Sequence, residues 1–139
     1  MTAKEFLSQA HRLDQRINSK LEQVASLRDM TTKITSIMSD DPVSHTRNVH
    51  SMQDIIAKIV DTQEEINKDI DALVDLKRDI MHCIKRINNP EYQTLLELRY
   101  LSFKSWSEIA LLMDFEDRYV YKVHGCALKE VEKNLSSRQ

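Results

Sequence analysis

The sequence predicts an all-α chain: a long N-terminal helical hairpin with coiled-coil character, then a C-terminal three-helix helix-turn-helix unit. Three observations predict it. One glycine and two prolines in 139 residues leave almost no turn chemistry for a sheet. Apolar residues recur at steps of three and four, and in one long stretch every seven residues. Asn88-Asn89-Pro90 then stops that repeat and opens a series of short apolar segments separated by tight corners. The expected division is a hairpin over 1–88 and a helix-turn-helix domain over 89–139, within a length that allows one small domain or one domain with an appendage.

The first helix is predicted from Lys4 to about Met38. Phe6, Leu7, Ala10, Leu13, Ile17, Leu21, Val24, Leu27, Ile34 and Met38 form its apolar stripe. Lys20 and Thr31 interrupt the stripe, which implies a loose grip on the partner helix there. Residues 39–48, SDDPVSHTRN, break the pattern, and Pro42 disfavours helical geometry at Asp41. A loop is expected over 39–48. His45 and His50 lie in or beside it, and two histidines without a third ligand read as loop residues rather than a metal site.

The second helix has the strongest periodicity. Met52, Ile59, Ile66, Leu73, Ile80 and Ile87 recur every seven residues, and Ile56, Gln63, Ile70, Lys77 and Ile84 follow four later. Together they make the two core positions of a heptad repeat over a helix on the order of 60 Å long. Ile56, Ile59, Gln63, Ile66, Ile70, Leu73, Lys77 and Ile80 are the expected dimerisation residues. Gln63 and Lys77 are polar seam positions of the kind that set register or oligomer number. Ile55, Val60, Val74, Leu76, Met81 and Cys83 widen the stripe beyond a two-stranded seam. The first helix supplies one neighbour and a second chain another, as in a hairpin that dimerises into a four-helix bundle.

The stretch Pro90–Val131 reads as three helices. Helix A runs from Glu91 to about Leu101, with Leu95, Leu98 and Leu101 facing inward, and the corner Ser102-Phe103-Lys104 follows. Helix B opens with the capping box Ser105-Trp106-Ser107-Glu108 and is expected to bury Ile109, Ala110, Leu112 and Met113. Asp114-Phe115-Glu116-Asp117 forms the second corner, its carboxylates suited to the positive end of the next helix. Helix C starts near Arg118. Val120, Val123, Ala127 and Val131 make its packing face, and Arg118, Lys122, Gly125 and Lys129 line the opposite side at steps of four, three and four. A third helix carrying cations on its outer face is how such a unit meets DNA. Tyr121 edges this stripe. His124 reads as a surface or edge imidazole and Cys126 as a packing thiol.

Nearly a third of the residues are charged, yet the formal net charge is only −2. Net charge therefore points to neither nucleic acid nor membrane, and the cations must be concentrated on one face if DNA is bound. The two cysteines have no CxxC spacing, so neither a disulfide framework nor a zinc site is expected. The charged N-terminus is not a signal peptide and no apolar run is long enough to span a membrane, which leads us to expect a cytoplasmic protein. No cofactor is expected. The absence of a glycine-rich phosphate loop, an HExxH and a nucleophile–base arrangement disfavours an enzyme.

These residues resemble a known family. Leu95, Leu98, Arg99 and Tyr100, then Ser105 with Glu108-Ile109-Ala110, then Val120, Val123 and Ala127-Leu128 resemble the helix-turn-helix in the fourth conserved region of bacterial sigma factors. Tyr100-Leu101, Lys104-Ser105-Trp106, Glu108-Ile109-Ala110 and Val120-Tyr121 with His124-Gly125 resemble a family of small phage and prophage proteins of Gram-positive bacteria, similar to phage late-operon activators. The resemblance covers about the last fifty residues. It implies binding to double-stranded DNA, with Asp117, Arg118, Tyr121 and Lys122 at base-reading positions. Lys104, Ser105 and Trp106 would sit against phosphates at the start of helix B. RNA polymerase is a further partner that sigma-type units contact, and a protein-interaction module with little DNA binding is the alternative reading. Two corners depart from the family pattern: Asp114 stands where glycine is usual, and Ser102-Phe103 where Asn-Gly is common.

Overall fold

Three of the described helices begin where the chain places a side-chain cap. A computed structural model describes residues 1–38 and 45–137. Among them lie five helices and no strand: α1 Ala3–Met38, α2 His45–Lys85, α3 Pro90–Tyr100, α4 Trp106–Met113 and α5 Asp117–Ser137. No helix among the described residues is long and apolar enough to cross a membrane. At the start of α1, the Thr2 hydroxyl accepts from the Glu5 amide while the Glu5 carboxylate accepts from the Thr2 amide, each at 3.2 Å. Before α3, the Asn89 side chain accepts from the Glu91 amide at 2.9 Å and the Tyr92 amide at 3.4 Å, with Pro90 in the first turn. The predicted Ser105–Glu108 capping box is formed at α4.

The expected loop over 39–48 is corrected at its end. α2 already begins at His45, so His50 is a helical residue. Pro42 restricts only itself and its predecessor, and nothing in residues 45–48 resists helical geometry. Residues 39–44 lie outside the described residues.

The chain divides into two compact units, residues 15–72 and residues 1–14 with 73–139. In the first, α1 and α2 lie side by side. Two long helices joined within a few residues must run antiparallel. Ile17, Val24, Thr62 and Ile66 are buried between them. The predicted weak point at Lys20 is a cross-link instead: its ammonium meets Asp69 at 2.7 Å and Glu65 at 3.6 Å. A cation on a long apolar stem can lie in an apolar stripe and still reach a carboxylate on the facing helix.

In the second unit, one apolar cluster joins Ala3, Leu7 and Ala10 of α1 to Ile80, Cys83, Ile84 and Ile87 at the end of α2 and to α3, α4 and α5. The Ala3 amide donates to Glu132 of α5 at 3.2 Å. On α3 the fully inward residues are Leu95, Leu96 and Tyr100, while Leu98 and Leu101 are half-buried. The inner face of α3 thus runs through Leu95, Leu96 and Tyr100 instead of Leu95, Leu98 and Leu101. On α4, Ile109 and Ala110 are buried as expected, but Leu112 is 61% exposed and Leu111 84%. An eight-residue helix has only two turns, and here its packing face is spent on Ile109 and Ala110. Cys83 and Cys126 are not joined in a disulfide.

Candidate nucleic-acid interface

α3, α4 and α5 pack against one another, and the corner between α4 and α5 is a helix stop built without glycine. Asp114 takes the left-handed conformation, φ 57° and ψ 46°. The Phe115 amide donates back to the Ala110 carbonyl at 2.9 Å and the Asp114 amide to Leu111 at 3.4 Å, the paired bonds of a Schellman stop. Phe115 then packs edge-on against Tyr119, ring centroids 4.8 Å apart, and the Tyr119 hydroxyl donates to Glu91 at 3.1 Å. The chain thus leaves α4 and enters α5 in one fixed direction. The first corner also holds a left-handed non-glycine residue, Phe103, with φ 57°. His11 stacks on its ring at 5.0 Å and the Lys77 ammonium stands 4.6 Å over it.

α5 presents two faces. Val120, Val123, Ala127 and Val131 are buried as the spacing predicted. Arg118, Tyr121, Lys122, Gly125 and Lys129 are all exposed, and among the described residues the three cations form no ion pair. A methyl group added at Gly125 would meet no atom within 4 Å. Nothing inside the chain therefore demands a glycine there. Asp117 is exposed in the first turn of α5, where its carboxylate suits the helix dipole.

The residues at the start of α4 are more engaged. Lys104 is half-buried and lies 3.9 Å from Glu108, and the Ser105 hydroxyl is occupied as the α4 cap. Trp106 is half-buried in an aromatic group: Arg99 lies 4.3 Å over its ring, and Tyr121 and His124 lie at 5.5 Å and 4.5 Å. Its ring thus sits against side chains of both α3 and α5.

His124 is buried, not at the surface, which corrects the edge reading. Its Nε2 lies 2.6 Å from the Tyr100 hydroxyl. Burial lowers the imidazole to about 4, with Lys4 and Arg99 adding repulsion, and burial raises the Tyr100 phenol to about 12. At neutral pH the phenol therefore keeps its proton and the ring is uncharged, so a single hydrogen bond joins them, its direction set by the ring's tautomer. This ties α3 to α5 behind the exposed face. The signal was present in the sequence, since His124 follows Val123 and precedes Ala127 by three residues, at the edge of the apolar arc.

The expected dimerisation residues fall into two groups. Ile66 and Ile80 are buried within the chain, and Ile59 and Leu73 are half-buried. Ile56 and Ile70 are 49% and 42% exposed, and Gln63 and Lys77 are half-exposed. Between Ile56 and Ile70 one heptad row thus packs inside the chain and the other faces outward, whereas further along the second row Lys77 lies over Phe103 and Ile84 is fully buried.

A family described as a protein of unknown function, DUF1492, matches residues 33–132. No curated protein matches the chain, and no solved structure does. The family match takes in the end of α1 and all of α2, α3 and α4, and reaches into the last turns of α5, well over half of the sequence. The chain belongs to the DUF1492 family.

Proposed function

We propose that the protein is a sequence-specific DNA-binding transcription regulator of phage or prophage origin, which acts as a dimer and enters the major groove with α5. One observation carries this reading: Arg118, Lys122 and Lys129 stand exposed and without ion pairs among the described residues, opposite the buried valine face. Cations that the protein does not neutralise are available to phosphates, and Tyr121 between them offers a hydroxyl to a phosphate or a ring edge to a base. Resemblance to the sigma-type unit supports the same face.

Salt titration tests it. Neutralising three phosphates gives log K a slope of about −2.7 against log salt, and Arg118→Ala with Lys122→Ala removes about two-thirds of that slope. A salt-independent affinity would sink the reading.

The dimer is supported by the outward row of α2. Ile56, Val60, Gln63, Asn67 and Ile70 follow steps of four and three, the spacing of a coiled-coil seam. Leu21, Ala25 and Arg28 of α1 follow the same steps across an open groove of about 520 Å³. Gln63 and Asn67 each carry an amide that donates and accepts, so the seam is complementary to itself, whereas an apolar ligand would leave these groups unpaired. Few residues are buried between the two helices of this unit, and a second copy supplies the missing apolar cover.

A second reading rests on Leu111 and Leu112, whose exposure on α4 favours docking on another protein, RNA polymerase included. Binding that survives high salt would select it.

A further inference from the structure

We infer that a small cavity between the first turns of α1, the end of α3 and the start of α4 is a phosphate site, which takes a phosphodiester of the DNA backbone. The cavity holds about 90 Å³ and is lined by Lys4, Ser8, His11, Arg99, Tyr100 and Trp106. That is roughly three waters' share of liquid volume, room for one tetrahedral oxyanion.

The lining is cationic and polar, with no carboxylate. Lys4, Ser8 and His11 stand at steps of four and three, so α1 presents all three on one stripe. Among the described residues Lys4 has no ion pair and the Ser8 hydroxyl no hydrogen bond. Arg99 is held in place, its guanidinium on the Trp106 ring and its Nη1 donating to the Lys104 carbonyl at 3.0 Å. A guanidinium has five N–H donors, so most remain to meet an anion. Two unneutralised cations around one small space repel each other, and an oxyanion relieves that repulsion. After burial itself, the same two cations disfavour a proton on His124, which places both charges close to the buried ring.

The location decides the source of the phosphate. Trp106 lines the cavity and its ring meets Tyr121 on the exposed face of α5, so the site borders the proposed DNA surface. The N-terminal helix then contributes directly to DNA binding, which no feature of its sequence announces. The site stands on its own geometry, but its assignment to DNA rests on the function proposed above.

The test uses the full chain and its Lys4→Gln variant, a change at an exposed side chain. In one arm the salt slope of DNA binding is measured, and the variant should lose about one unit of slope, one phosphate contact. In the other arm, inorganic phosphate is compared with chloride at equal ionic strength, and phosphate should raise the thermal midpoint of the parent but not of the variant. A phosphate effect lost in the variant with an unchanged DNA slope, or with no DNA binding at all, upholds the site and assigns it to a free anion. No change of slope together with no phosphate effect overturns it.

Discussion

Gly125→Ala separates folding from binding at one position. Gly125 lies within α5, is exposed, and has nothing within 4 Å of where a methyl group would stand. In a helix interior glycine is about 1 kcal/mol worse than alanine, because it loses more backbone freedom on folding. With no neighbour to clash, the variant should gain about that amount. For a chain of 139 residues the midpoint rises by roughly 3–4 °C. Binding should move the other way if Gly125, which lies between Lys122 and Lys129 on the proposed DNA face, is where the DNA backbone approaches α5 closely. A methyl group pushed into a close contact costs about 1–3 kcal/mol, or roughly a 5- to 150-fold loss in DNA affinity. Thermal unfolding by circular dichroism gives the first quantity and fluorescence anisotropy on a selected DNA gives the second. A variant that is more stable and binds equally well would refute close approach at Gly125. A less stable variant would refute the claim that the position is unconstrained within the chain.

Three other outcomes are expected. Ile56→Glu with Ile70→Glu places charge on the outward row while leaving residues buried in the chain untouched, so light scattering should show one chain per particle against two for the parent; a surviving dimer moves the seam elsewhere. His124 titrates near 4 folded and near 6.5 unfolded, so its contribution is full above pH 6.5 and is lost as pH falls towards 4. His124→Gln, which does not titrate, should weaken less between pH 7 and pH 4.5 in urea, and an equal decline would show that this ring is not the acid-sensitive group. Asp114→Gly should stabilise by about 1 kcal/mol through relief of the left-handed conformation, whereas Phe103→Gly should cost about 1–3 kcal/mol, because the lost ring contacts with His11 and Lys77 outweigh the same relief. Matching signs in denaturant melts would contradict the account of the two corners.

Much of this was legible in the sequence because helices announce themselves locally. Ser105 and Glu108, Asn89 and Pro90, and the valines of α5 act within a few residues of one another, and each stands where spacing put it. The rest depends on contacts between distant segments. Lys20 looked like a flaw in an apolar stripe because Asp69 is forty-nine residues away. His124 looked peripheral until Tyr100 came to meet it. The heptad repeat of α2 did not say which of its two rows packs inside the chain, since that is settled by how α1 lies against it. The two departures from the family's corner pattern, Phe103 and Asp114, are the two non-glycine residues with positive φ among those described. The corners keep their left-handed geometry without the glycines that make it cheap, Asp114 by its Schellman bonds and Phe103 by the side chains over its ring. The exposed face of α5 was predicted residue by residue. The cationic cavity beside it was not, because Lys4 and Arg99 approach each other only through the fold.

The central claim is that the exposed face of α5 reads DNA for a pair of chains. Selection of bound sequences from a random DNA pool tests it most directly, run with the parent chain and with Arg118→Ala/Lys122→Ala. The parent should enrich a two-part motif with fixed spacing, and the variant should enrich none while keeping its helical content. A pool that stays random with the parent, or a motif that the variant recovers unchanged, would contradict the claim.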